Sequence, residues 1–338
     1  MHFMITGHTG FKGTWLAFLL HKRGHSVSGL SLDVPKNALS YTTNVKSILI
    51  NEFKCDVRNY VELTKSIKRA SPDVVIHMAA QALVRESYKD PLTTFETNVN
   101  GTLNVLKACQ ETSSIKAILA VTTDKVYKNR NTSIGHVESD ELGGGDPYSA
   151  SKAMADIAAQ SWISSFPGEI PIGICRAGNV IGGGDISMDR LVPDLIGAYA
   201  SGRTPILRYP NAIRPWQHVL DCLNGYLMLL DSLLLGKNVG PWNFGPSKTE
   251  LRSVEDVASA VGKIWGVSKI WESDSDLHPE ETLTLVLDSQ KARSLLGWEN
   301  KLDFAQSVEW TANWYKDVYM GDSPLQRLTK DIDNYEEI

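Results

Sequence analysis

Four cysteines in 338 residues, with no CxxC pair among them, rule out a disulfide framework and give no structural zinc spacing. Cys55, Cys109, Cys175 and Cys222 lie far apart and read as reduced core thiols of a cytoplasmic protein. No metal site is expected. A net charge of −5 gives no excess of positive charge for nucleic acid or an anionic membrane surface. Long apolar runs are missing too. The most apolar stretch, 226–236, is short and broken by Asp231, so it cannot span a bilayer. The first motif starts at residue 4, which leaves no space for a signal peptide before it. Repeats, low-complexity tracts and long linkers are absent. What remains is an ordinary soluble composition, 42% hydrophobic and 22% charged, enough for one large domain or two interlocked ones.

The first half alternates. Apolar runs at 3–6, 26–32, 52–55, 73–78, 118–121 and 172–176 read as strands. Segments 14–23, 61–70, 94–109 and 149–165 carry helical spacing. Strict alternation predicts an α/β fold, a Rossmann-type doubly wound parallel sheet with helices on both faces. Beyond residue 178 the pattern changes: Gly182-Gly183-Gly184 opens a loop-rich region with Pro-containing connections. The expected division is a dinucleotide-binding domain over 1–178 and a smaller α/β substrate-binding lobe over 179–338, with short returns to the first domain.

Gly7, Gly10 and Gly13 form a GxxGxxG spacing between the first strand and first helix. A helix N-terminus offers free N–H groups and a positive dipole end, and glycine lets a pyrophosphate approach them. Phe11 and Lys12 share this loop. Asp33 follows Gly13 by 20 residues, where a carboxylate accepts hydrogen bonds from ribose hydroxyls and repels a 2′-phosphate. That favours NAD over NADP, although Lys12 could meet an extra phosphate. Asp56 and Val57 follow the third strand and are placed to meet adenine; taken alone, Asp56 is equally readable as a helix N-cap.

The stretch VTTDKVY, 121–127, sets two hydroxyls, an acid and a base where a core strand meets its loop. About 25 residues on, DPYSASKA places Tyr148 and Lys152 four apart, on one face of a helix. A phenol is a poor base at neutral pH unless a nearby cation favours the phenolate. Lys152 is a candidate for that cation.

Together these residues resemble the extended short-chain dehydrogenase/reductases that act on nucleotide sugars. The resemblance rests on the glycine loop, HMAAQ (77–81), TNVNGT (97–102), the Thr123 strand end and the Tyr148/Lys152 pair. Longer motifs resemble the CDP-glucose 4,6-dehydratase branch: GHTGFKGTWL (7–16), LVRESY (83–88), TTDKVYKNR (122–130), RAGNVIGGGD (176–185), IRPWQHVL (213–220) and WNFGP (242–246). The resemblance runs from about residue 4 to 315.

It implies NAD held by the glycine loop with Ala79, Ala80, Gln81 and Asn98, and a homodimer through the helices at 94–109 and 149–165. It implies sugar oxidation at C4 by Tyr148 with Thr123, water elimination across C5–C6 by Asp124 and Lys125, and return of hydride to C6. Lys125 is then either a neutral base or a cation that stabilises the C4 enolate. A nucleoside diphosphate needs cations and amide donors. Asn179 and Arg214 match that role, Arg190, Arg208 and Lys248 are weaker candidates, and Arg85 and Tyr88 could line the sugar pocket. Trp216 and His218 read as packing groups, and His77 as a satisfied core histidine. An epimerase of the same family would share Tyr148, Lys152 and Thr123 but has no need of Asp124-Lys125. A non-catalytic dinucleotide sensor would commonly lack the Tyr/Lys pair.

One segment departs from the family. The tryptophans and the Gly-Tyr-Arg-Glu run expected before Tyr148 are replaced by Gly135-His136-Val137-Glu138. This segment leads into Tyr148 and bears on the hexose and the base, not on the oxidation chemistry.

Overall fold

Val74–His77 is buried at every position. Val121 and the four residues before it are equally buried. Strands apolar on both faces need helices above and below, and a parallel sheet supplies them. The computed structural model describes residues 1–130, 134–274 and 284–338. Three residues of the divergent segment, 131–133, lie outside that range.

Seven strands make one parallel sheet: β1 His2–Thr6, β2 Ser26–Ser31, β3 Leu49–Lys54, β4 Val74–His77, β5 Ala117–Val121, β6 Ile172–Ala177 and β7 Gly240–Phe244. Their order is β7-β6-β5-β4-β1-β2-β3. Phe3 pairs with Val27 on one side and Val74 on the other, so β1 is the centre from which the chain winds in both directions. A crevice opens where the order reverses, beyond the carboxyl ends of β1 and β4. The six strands of the first half occupy the expected positions. The seventh comes from residue 240 onward and pairs with β6 through Gly240–Phe244.

Helix α1, Phe11–Lys22, packs its buried Trp15 and Leu16 under the sheet. The same core holds Tyr226, Trp242, Trp298 and Tyr335 from the second half of the chain. Leu195, Tyr199, Trp216, Val257 and Val308 belong to a separate apolar cluster formed by the second half of the chain. The segment expected as one helix over 94–109 is a composite: Pro91–Phe95, a π-turn at Glu96–Asn100, then Gly101–Gln110. Among the described residues no helix is long and apolar enough to cross a membrane, and no acidic, His or Cys cluster could hold a metal ion.

Candidate active site

The glycine loop closes on the end of β4. Gly7 has φ of +77°, and a Cβ there would stand 2.8 Å from the Ala79 backbone nitrogen. A Cβ on Gly13 would stand 2.2 Å from the Gly7 carbonyl oxygen. Both glycines are thus required by close backbone approach. Gly10 is the N-cap of α1, with no acidic residue in the first turn, so no carboxylate of the helix offsets its positive end. These features fit a dinucleotide pyrophosphate.

Asp33 lies two residues past β2, exposed and paired with Lys54 at the end of β3. That partner carried no signal in the sequence. Lys12 turns away from the loop: its Nζ donates to the buried Tyr226 hydroxyl at 3.2 Å. Asp56 does not cap a helix. Asn59 does, accepting from the Glu62 backbone, while Asp56 is chelated by Arg58 through bonds of 2.7–3.1 Å. The Arg58 side chain holds the Asp56 carboxyl below the usual range against an opposing effect of burial. Val57 is buried against Gly101.

Gln81 and Asn98 lock together. The Gln81 N–H donates to Asn98 Oδ1 at 2.9 Å, and Asn98 Nδ2 donates to Gln81 O at 3.0 Å and to Ser151 Oγ at 2.9 Å. Ser151 in turn donates to the Tyr148 carbonyl at 2.7 Å. Asn98 therefore braces the loop after β4 to the first turn of helix α2, Pro147–Ser165. The π-turn that carries Asn98 is what aims it there; such turns recur at functional sites.

Tyr148 and Lys152 sit buried on α2, whose N-terminus is capped by Asp146 accepting from the Ser149 N–H at 2.9 Å. Pro147 follows at the first helical position, where its missing N–H costs nothing. Burial raises the Tyr148 phenol above its ordinary pKa. A hydrogen bond with Thr123 and the charge of Arg190 draw it back down. Lys152 Nζ donates to the Val121 carbonyl at 2.7 Å, and burial, helped by the Lys12 charge, lowers the ammonium to about 8.

That shift has a consequence for stability. Below pH 8 the folded protein holds a buried ammonium at full cost; between 8 and the ordinary 10.5 the unfolded chain keeps a proton that the folded one has shed. Stability from this group therefore rises with pH through that window. In Lys152→Met the rise is gone. Denaturant unfolding of the two proteins at a series of pH values should show wild type gaining on the variant from 8 to 10.5. The lost bond to Val121 shifts the difference by a constant and leaves the trend.

Asp124 is the most distinctive group. It is 2% exposed, its Oδ1 accepts from Thr123 Oγ1 at 3.0 Å, and its Oδ2 has no partner among the described residues. A buried unpartnered carboxylate oxygen is costly, and such groups mark functional positions. A Cβ on Gly178 would stand 3.1 Å from this oxygen and 2.3 Å from Pro215. The sequence neighbours Asn179 and Arg214 are thereby drawn to the same spot. Lys125 is half-buried, its backbone N–H directed at Thr123 Oγ1 at 3.4 Å.

Arg85 pairs with Asp189 at 3.1 Å and Arg190 with Asp185 at 3.6 Å. Arg208 is half-buried and, with Arg85, faces Asp194. Arg214 is buried and bonds the Ile213 carbonyl at 2.9 Å. Lys248 pairs with Asp288 at 3.5 Å, and Tyr88 is exposed. Trp216, donating to Arg252 O, and His218, edge-on between Trp15 and Trp310, are packing groups. His77 is satisfied by Thr6 and Thr102 and pushed down to about 3 by burial.

The family model described as GDP-mannose 4,6 dehydratase matches residues 4–311. The chain is 37% identical over 340 residues to the CDP-glucose 4,6-dehydratase of Salmonella typhimurium, covering 98% of this chain and 95% of that one. Its fold is similar to that of dTDP-glucose 4,6-dehydratase from Bacillus anthracis, solved in complex with NAD: TM-score 0.82, 21% identity, 97% and 99% of the two chains. A second similar structure is the dTDP-glucose 4,6-dehydratase of Streptomyces venezuelae with NAD bound, TM-score 0.82, 22% identity, 96% and 100% covered.

Proposed function

The chain belongs to the GDP-mannose 4,6-dehydratase family, an extended short-chain dehydrogenase/reductase fold, and from that premise we propose that it is an NAD-dependent nucleotide-sugar 4,6-dehydratase acting on CDP-glucose. The observation that carries the reading is the buried, half-unpartnered carboxylate of Asp124 beside Thr123 and ahead of Tyr148. Oxidation and epimerisation need only Tyr148, Lys152 and Thr123. An additional buried acid belongs to a reaction that must also protonate a leaving oxygen.

The cradle formed by Gly7, Gly13 and Ala79 fits a dinucleotide, with Asp33 at the ribose end. NAD held there would supply the hydride acceptor for oxidation at C4 and the hydride donor for reduction at C6. Tyr148 takes the proton of the 4-hydroxyl, and Thr123 hydrogen-bonds the same oxygen once its hydroxyl turns from Asp124 Oδ1 to the sugar. Asp124, entering this step as the carboxylic acid, gives its proton to the departing 6-hydroxyl and is left as carboxylate. Lys125, adjacent to it, enters as the free amine and takes the C5 proton that the 4-keto group has made acidic. Arg190, Arg208, Arg214 and Asn179 would hold the diphosphate, and Arg85 the sugar side. A homodimer is proposed through α2, which leaves Met154 and Ile157 about half exposed, at 48% and 51%.

The test is a panel of CDP-glucose, dTDP-glucose, UDP-glucose, UDP-N-acetylglucosamine and GDP-mannose, each with NAD+, read by mass spectrometry. Loss of one water from CDP-glucose alone is expected. Water loss from another sugar would move the specificity and keep the chemistry. An epimer without water loss would overturn the dehydratase reading.

A further inference from the structure

Tyr127, Arg176 and Asn243 come from three separate motifs, and the chemistry above uses none of them. They meet at one buried point. Arg176 is fully buried and forks onto Asp156 through Nε at 2.8 Å and Nη2 at 2.6 Å. Its Nη1 donates to the Tyr127 hydroxyl at 2.8 Å and to the Glu138 carbonyl at 3.0 Å. The Tyr127 hydroxyl donates onward to Asn243 Oδ1 at 2.6 Å. Asn243 Nδ2 donates to the His136 carbonyl at 2.8 Å, and the Asn243 N–H donates to the Glu138 carboxylate at 2.8 Å. The ring of His136 stacks flat on Tyr127, centroids 4.7 Å apart and planes 5° off parallel.

On one side the hub grips a strap, 134–142, and beside it the Asp288 carbonyl, which accepts from Asn243 Nδ2 at 3.2 Å. The strap also pairs its far end, Leu142, with Tyr127, and bridges His136 to Leu287. Its place in the chain is the point. It leaves the strand end that carries Thr123, Asp124 and Lys125, and it leads to the Asp146 cap and Tyr148. On the other side, Asp156 accepts from Thr122 Oγ1 at 3.0 Å, one residue before Thr123. The hub therefore touches both catalytic segments and the chain that joins them.

We propose that the Tyr127–Arg176–Asn243 hub is a positioning device that fixes the strap, and through it the setting of Asp124-Lys125 against Tyr148, for the elimination step. The proposal rests on the dehydratase reading. A buried ion pair alone is weak evidence of stabilisation, because desolvation offsets its attraction. What it supplies here is geometry: the planar fork of arginine admits one arrangement of Asp156, Tyr127 and Glu138 at once.

Tyr127→Phe keeps the ring and its stack and deletes the hydroxyl that joins Arg176 to Asn243. A charge-assisted bond of this kind is worth about tenfold in a step that depends on it. Single-turnover measurements of NADH and of water loss should find oxidation little changed and elimination about tenfold slower relative to it. Hydrogen exchange in the strap should quicken, while the rest of the sheet stays protected. Arg176→Lys, which retains a cation for Asp156 and loses the fork, should give the same split. Equal slowing of both half-reactions, or no slowing, with strap exchange unchanged, would overturn the proposal. Strap exchange is read without substrate, so the hub is tested even if wild type loses no water, an outcome that would overturn the dehydratase reading instead.

Discussion

Tyr148→Phe is expected to bind NAD as wild type does and to turn over nucleotide sugar about 10²–10⁴-fold more slowly. The ring is buried on α2 and packs equally well as phenylalanine, so the fold survives. Without the phenol nothing takes the 4-hydroxyl proton, and that step precedes all others. Loss of a positioned general base costs about 10²–10⁴-fold, which here falls on the whole reaction. The phenol is not activated by the fold alone: burial raises its pKa, and only Thr123 and Arg190 oppose this. The cation four residues along, Lys152, bonds Val121 instead. Activation therefore falls to the loaded site, and the wild-type rate should rise with pH along a limb that Arg190→Leu moves upward. NAD binding measured by fluorescence, beside NADH formation on adding CDP-glucose, checks the first claim. NADH formation by the Phe variant at close to the wild-type rate would remove Tyr148 as the base.

The parts of this site legible in the sequence are those whose chemistry fixes a local spacing. Gly7 and Gly13 are dictated by a turn three residues wide, and Tyr148 and Lys152 by one turn of helix. The strand–helix alternation was legible because strands buried on both faces are apolar throughout. What escaped depends on partners far along the chain. Lys12 gives no sign in the sequence of its bond to Tyr226, more than 200 residues later. Asp56 reads equally as an adenine contact or a cap; Asn59 takes the cap, and Arg58 folds back on Asp56. The seventh strand, GPWNF, escaped because Pro241 and Asn243 are poor strand formers; both are tolerated because the strand lies at the sheet edge. Arg176 sits in an otherwise apolar strand, and only the fold brings Asp156 and Tyr127 to it.

Asp124→Asn is expected to separate the two halves of the reaction. The amide has nearly the size of the carboxylate, and Thr123 can still donate to its oxygen as it does to Oδ1 at 3.0 Å. Thr123 and Tyr148 therefore stay in place, and C4 oxidation proceeds. The amide cannot pass a proton to the leaving 6-hydroxyl, so elimination slows by about 10²–10⁴-fold. Oxidised sugar and NADH then accumulate together, and the NADH signal persists where in wild type it is transient. Stopped-flow NADH absorbance reads the separation directly. Intact turnover with no lasting NADH would remove Asp124 from the elimination, and with it the feature that sets this chain apart from an epimerase.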